Sequence, residues 1–226
     1  MLLIVNNPCI QAQPVYSNFL LNPLNIWSAG TAVFSKDGAI HLTAIGGGDN
    51  YFTNDKAMLI GCLNSDGLIN YQNTYKEPFT KYYPCRGGFH PIGDSSYIVI
   101  GTKEKSNDEG FIFILDQNFD TIFTKFFMVD TFQTILRSID ILPNSEYILC
   151  GEIFHYINPL QGESDGIFLY KTDSLFNLQW YKIYKLDVNN LCFTVAQTTD
   201  NGYVIGGSTN SKTNYSSDPL VIKTDS

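Results

Sequence analysis

One phrase recurs along the chain: a polar turn, an anchor residue, an apolar run and a closing small residue. It reads Asn201-Gly202-Tyr203-Val204-Ile205-Gly206-Gly207, Ser95-Ser96-Tyr97-Ile98-Val99-Ile100-Gly101 and Ser145-Glu146-Tyr147-Ile148-Leu149-Cys150-Gly151. A degenerate copy stands at Asp37-Gly38-Ala39-Ile40-His41-Leu42-Thr43. From Ala39 to Tyr97 is 58 residues, from Tyr97 to Tyr147 is 50, and from Tyr147 to Tyr203 is 56. A second anchor keeps the same step, because Tyr71, Phe123 and Trp180 follow one another at 52 and 57 residues. Self-similarity at a period of about 50 residues points to repeated sheets, since helical repeats are generally shorter.

Each unit reads as four strands. The first runs roughly over 30–35, 88–93, 138–142 and 194–199, and the turn of the phrase leads into the second. At Asp37-Gly38 and Asn201-Gly202 the dipeptides predict type I′ hairpins, with two positive φ angles. The second and third strands do not alternate: Tyr97-Ile98-Val99-Ile100 and Phe111-Ile112-Phe113-Ile114-Leu115 are apolar at every position. A strand apolar on both faces must be covered on both faces. The fourth strand is mixed, as in Gln179-Trp180-Tyr181-Lys182, which suits an outer edge. The expected fold is therefore all-β and β-propeller-like, with about four four-stranded antiparallel blades near 29–76, 88–127, 138–185 and 194–226. The last unit lacks a fourth strand, and Val15-Tyr16-Ser17-Asn18-Phe19-Leu20 is placed to supply it as an N-terminal outer strand that closes the ring. A closed ring would be a monomer; the competing reading is half of a larger propeller, completed as a dimer.

Composition narrows the function classes. With 44% hydrophobic residues among 226, the chain buries a sizeable core, and residues 14–226 read as a single domain. A net charge of −8 argues against a nucleic-acid face and against an anionic membrane surface as partner. No segment approaches the ~18 apolar residues of a membrane span, so no membrane insertion is expected. Residues 1–13 open with an apolar run and include Gln11-Ala12-Gln13, which resembles the end of an export signal but lacks its positive n-region and full core. The five cysteines form no CxxC pair and no zinc pattern. Cys62 and Cys150, inside apolar strands, read as small buried hydrophobes.

The segment Gln197-Thr198-Thr199-Asp200-Asn201-Gly202-Tyr203-Val204-Ile205-Gly206-Gly207-Ser208-Thr209-Asn210-Ser211, followed by Leu220-Val221-Ile222-Lys223-Thr224-Asp225-Ser226, resembles a repeat of secreted and cell-surface proteins of the Bacteroidota. Leu169-Tyr170-Lys171-Thr172-Asp173-Ser174 and Leu178-Gln179-Trp180-Tyr181 match the stretch of that repeat that follows. The resemblance implies propeller-type blades and a secreted or cell-surface location. That family often carries a C-terminal sorting domain, absent here, and it shares no catalytic motif.

Candidate sites are sparse. An Asp recurs before the third strand at Asp55, Asp108, Asp165 and Asp218, and an Asn or Asp after it at Asn64, Asp116, Asp173 and Asp225. Such residues commonly cap turns through their own backbone. The functional alternative is calcium, with Asp49 in the richest loop added to the set, and no cofactor otherwise. His90 and Asp140 fall at the same level of adjacent first strands, where they could form a proton-transfer dyad, and Arg137 beside them could bind an anion at the channel mouth. Tyr51, Tyr82, Tyr83 and Tyr156 offer aromatic platforms of the kind sugars stack on. A sialidase is excluded by counting, since that site needs three arginines and the chain has two. No GxSxG, HExxH or phosphate loop occurs.

The sequence thus reads as an exported, non-catalytic propeller serving as a binding or structural module for a carbohydrate or protein ligand. The alternative is a polysaccharide-acting hydrolase with carboxylates supplied by loops.

Overall fold

A computed structural model describes residues 26–34, 40–47, 56–63, 69–154, 164–185, 189–210 and 217–225. The described residues are all strand and turn, with no helix. Four antiparallel meanders follow one another. The first comprises β1 (Ile26–Phe34), β2 (Ile40–Gly47), β3 (Lys56–Leu63) and β4 (Ile69–Tyr75). The second comprises β5 (Lys81–Ile92), β6 (Ser96–Glu104), β7 (Asp108–Leu115) and β8 (Thr121–Phe127). The third comprises β9 (Gln133–Ile141), β10 (Tyr147–Phe154), β11 (Gly166–Thr172) and β12 (Leu178–Tyr184), and the fourth β13 (Asn190–Gln197), β14 (Tyr203–Asn210) and β15 (Ser217–Thr224). A single parallel pairing, Lys56 with Lys81, links the first two meanders into one sheet. The first strands lie innermost: β1 contacts β5, β5 contacts β9, and β9 contacts β13. The all-β, propeller-like expectation holds. The outer strand expected at 15–20 lies outside the described residues.

The apolar runs explain the packing. Alternate residues of β10 serve two cores: Tyr147, Leu149 and Ile153 pack toward the second meander, while Ile148 and Cys150 pack toward the fourth. Strand β6 does the same with Ile98 and Ile100 on one face and Tyr97 and Val99 on the other. The hydrophobic cores therefore lie between neighbouring sheets, and the middle strands of the second and third meanders are buried from both sides. Strand β12 is exposed or half-exposed throughout, as an outer strand should be.

The turns differ from the expected type I′ hairpin. Asn201 has φ 63° while Gly202 does not have a positive φ, and Thr198 and Asn201 close a longer loop through Asn201 N–H to Thr198 O and Thr198 N–H to Gly202 O. This is a turn ending in one left-handed residue. The same pattern recurs at Ser145, Phe119 and Phe176. In the two latter turns Asp116 and Asp173 cap the loop: Asp116 Oδ1 accepts from the N–H of Asn118 and Asp120, and Asp173 Oδ1 from Leu175 and Asn177. A left-handed Phe is costly, and packing holds it. Phe176 is buried against Tyr147 and Phe123, and Phe119 against Tyr97 and His41, so each turn plugs into the preceding meander or the one beside it.

The closing glycine of the recurrent phrase has a steric cause. A Cβ on Gly101 would lie 2.2 Å from Tyr83 O, one on Gly151 1.9 Å from Ile135 O, and one on Gly207 2.1 Å from Leu191 O. In each case the inner strand bulges against the glycine. Gly151 pairs with Leu136 but Cys150 with Ser138, leaving Arg137 extra; Gly207 pairs with Cys192 but Gly206 with Thr194, leaving Phe193 extra. On β5 the bulge is wider, running from Pro84, opposite Gly101, to Phe89, opposite Val99. The register of β1 also shifts, between Ala29 and Ala32.

Cysteine 150 corrects a sequence expectation. It is bonded to Cys192 across the third and fourth meanders, with Cα atoms 6.7 Å apart. The two lie 42 residues apart in the chain, so nothing local signals the pairing. Among the described cysteines, Cys62 and Cys85 are not in a disulfide.

Two outcomes follow. Gly207→Ala should cost at least about 2 kcal/mol in urea unfolding, by forcing a bulge to shift. Gly206→Ala, whose new Cβ would meet only the Thr194 side chain at 3.0 Å, should cost under about 1 kcal/mol. Equal losses at the two neighbours would contradict the bulge account. Breaking the Cys150–Cys192 bond, which closes a loop of 42 residues, should remove about 4 kcal/mol of stability; unfolding curves that coincide with and without reductant would contradict it.

Candidate functional site

The bulges aim side chains at one place. A cavity of about 690 Å³ opens where the four meanders meet, lined by Ile45 of the first, Tyr83, Cys85, Arg86, Glu104 and Asp108 of the second, Arg137 of the third and Phe193 of the fourth. A bulge on an inner strand turns a residue out of the pleat, and Arg86, Arg137 and Phe193 are all bulge residues. Phe193 is 58% exposed, so its ring is an open apolar face in the cavity wall.

Two carboxylates share this cavity. Glu104 ends β6 and Asp108 begins β7, and the two are direct partners across the hairpin. Facing residues of an antiparallel pair have Cβ atoms about 4.5–5.5 Å apart on one face of the sheet. Burial and the nearby Glu104 charge push the Asp108 carboxyl above its usual range, partly opposed by Lys81. Glu104 itself is ion-paired to Lys81. The Tyr83 hydroxyl, beside Glu104, is held protonated well above neutrality by burial and by that carboxylate. The Cys85 thiol is pushed up to about 12 by burial, so it is no thiolate nucleophile.

Beneath the cavity lies a buried acid. Glu152 follows the closing Gly151 and has no exposed surface. Its Oε2 accepts from Arg137 Nε at 2.8 Å and its Oε1 from the Cys192 N–H at 2.8 Å. Burial raises its carboxyl, while Arg137 and the Cys192 N–H oppose the shift. In the preceding meander Thr102, which follows Gly101, has the equivalent role, its Oγ1 accepting from Leu136 N–H at 3.2 Å. These side chains knit neighbouring inner strands together just under the bulges.

The residues singled out in the sequence meet different fates. His90 and Asp140 do not form a dyad: His90 Nε2 contacts the Gly87 carbonyl, and Asp140 Oδ2 accepts from Gln197 N–H at 2.8 Å. Equal level on adjacent strands was not enough, because each side chain finds a nearer backbone partner. Tyr82 is no platform either. It is 3% exposed, packs on Phe111 and donates to Glu77, because its side chain points to the core face of β5. Tyr83, on the opposite face, lines the cavity with Arg137. Tyr51, Tyr156, Asp49 and Asp55 lie outside the described residues. Asp108, Asp165 and Asp218 belong to three different meanders, and no group of three metal-ligating side chains forms among the described residues.

Sequence reasoning missed Glu104, Glu152, Phe193 and Arg86 as site residues. The signal lay in the repeat itself. Arg137 and Phe193 each precede the small first-strand residue of their unit, Ser138 and Thr194, and Glu152 and Thr102 each follow the closing glycine.

No family model matches the chain, and no curated protein matches it. Solved structures do. One is a family 43 β-1,3-galactosidase holding galactodeoxynojirimycin, at a TM-score of 0.50 and 8% identity over 85% of this chain and 70% of that one. Another is a family 93 α-L-arabinofuranosidase of Fusarium graminearum with arabinobiose, at 0.48 and 11% over 87% of this chain and 61% of that one. At such identities the galactosidase likeness speaks to the fold, and the second adds no argument. The fold likeness to a galactosidase goes against the expectation of a non-catalytic binding module, which is not carried further. The galactosidase belongs to the class of the stated alternative, a polysaccharide-acting hydrolase, and the cavity here holds the Glu104–Asp108 pair.

The Glu152 arrangement makes its own prediction. Glu152→Ala leaves the buried Cys192 N–H and the half-exposed Arg137 without their acceptor and should cost about 1–3 kcal/mol in chemical denaturation. Glu152→Gln keeps an acceptor oxygen and should cost clearly less. Equal costs, or none, would show that the buried pair does not hold the site.

Proposed function

We propose that the protein is a glycoside hydrolase acting on a polysaccharide or oligosaccharide, with its reaction centre in the cavity between the inner strands. The observation that carries this reading is the Glu104–Asp108 pair, two facing carboxylates lining one cavity. Glycoside hydrolysis uses two carboxyl groups ~5–10 Å apart, one protonated to donate to the leaving oxygen and one ionised. Cross-strand pairing supports a spacing in that range, and the environments of the two groups differ as the chemistry requires.

The roles follow from those environments. Asp108, raised by burial and by its neighbour's charge, is the general acid that protonates the glycosidic oxygen. Glu104, facing it and paired with Lys81, is the carboxylate that attacks the anomeric carbon or activates water. Phe193 presents an exposed ring on which a sugar face stacks, and the Tyr83 hydroxyl is placed to bond a sugar oxygen.

The finer architecture belongs to the same proposal. The four meanders are four blades of one propeller. The Cys150–Cys192 bond supports an oxidising location and hence export, in line with the resemblance to cell-surface repeats.

Assays against nitrophenyl glycosides, β-1,3-galactan, arabinan and oligogalacturonate test the reading. Turnover of at least one substrate is expected, falling by about 100-fold or more in Asp108→Asn and in Glu104→Gln. Activity should be lost as pH rises through the raised Asp108 pKa, because the acid must be protonated, and this basic limb should vanish in Asp108→Asn. Turnover unaffected by either substitution, or none on any substrate, would contradict the assignment.

A further inference from the structure

The chain has two arginines, Arg86 and Arg137, and both line the cavity. They come from bulges on adjacent inner strands, and Arg137 lies close enough to Cys85, the neighbour of Arg86, for its charge to act on that thiol. Arg137 is anchored from below: Glu152 takes its Nε, and the side chain is still 41% exposed. The terminal amino groups of its fork are therefore left toward the cavity. A guanidinium held through Nε presents its remaining N–H groups in a fixed plane, the geometry that grips carboxylate or sulfate.

Glu104 is paired with Lys81, and Glu152 with Arg137. Asp108 has no ion pair among the described residues, and burial and the Glu104 charge favour its neutral form. Arg86 is exposed and has no ion pair among the described residues. An uncompensated cation at the cavity wall is conspicuous in a chain of net charge −8. A neutral sugar would not require it.

We infer that Arg86 and Arg137 form a subsite for the anionic group of an acidic sugar, a carboxylate or a sulfate ester, beside the Glu104–Asp108 pair. The subsite deepens the hydrolase reading and rests on it for its role in catalysis, but binding at the subsite can be measured without turnover.

Calorimetric titration of the full chain with trigalacturonate, a sulfated carrageenan tetrasaccharide and neutral galactotriose tests it. At least one acidic probe should bind at least about 10-fold tighter than galactotriose, and whichever acidic probe binds better identifies the anionic group. Arg86→Ala, a change at an exposed residue, should keep the wild-type melting temperature, erase that 10-fold preference and leave galactotriose binding unchanged. Arg137→Lys should weaken the acidic probe as well, since an ammonium cannot make the forked contact. Equal binding of acidic and neutral probes, no saturable acidic binding, or an Arg86→Ala variant that keeps the preference would overturn the subsite. Arginine-dependent acidic binding without cleavage would support the subsite and remove the hydrolase reading. Cleavage of a neutral glycan at the same rate in Arg86→Ala, with no acidic preference, would do the reverse.

Discussion

The contact between a closing glycine and a bulged inner strand is the constraint on which the rest depends. At Gly101, Gly151 and Gly207 a carbonyl of the neighbouring strand lies where a Cβ would stand, at 2.2, 1.9 and 2.1 Å. The strand can approach that closely only because there is no side chain, and the close approach is what lets it bulge. The bulge then turns Arg86, Arg137 or Phe193 out of the pleat and into the central cavity. A feature that looks like blade punctuation in the sequence is therefore also what furnishes the site.

The residue after each glycine completes the arrangement. Thr102 and Glu152 reach across to backbone N–H groups of the next inner strand, so the same short stretch sets the bulge and ties one meander to the next. At Glu152 this tie also fixes the Arg137 fork. Burying a carboxylate is costly unless it is paired and hydrogen-bonded, and Glu152 has both kinds of partner. Structure and chemistry thus share residues, and a change at Glu152 should disturb both.

Much of the fold was legible because it rests on periodicity. The four anchors, the apolar second and third strands and the exposed β12 follow from where hydrophobic residues recur. Turn chemistry was legible only to a degree: Asn201-Gly202 suggested two positive φ angles, but only Asn201 takes one, because the loop is longer by the reach from Thr198 to Gly202. The site was mostly hidden. His90 and Asp140 drew attention as reactive types, yet local backbone partners claim them. Asp108 read as a turn-capping residue and Glu104 drew no reading, and only the strand register makes them face each other over a cavity. A register shift of one residue, the event that exposes Phe193, leaves no mark on hydrophobic patterning. The Cys150–Cys192 bond joins separate meanders and is equally invisible to local reading.

Because only two arginines exist and both line the cavity, their side chains are a selective reporter of what binds there. The most direct measurement is a nitrogen-detected or Nε–Hε correlation NMR spectrum of the arginines, followed while trigalacturonate and galacto-oligosaccharides are added. Two side-chain signals are expected, with that of Arg137 displaced by its bond to Glu152 and both moving saturably as an oligosaccharide enters. Saturable shifts confined to backbone amides elsewhere, with both arginine signals unmoved, would contradict the claim that the bulges converge on the functional site.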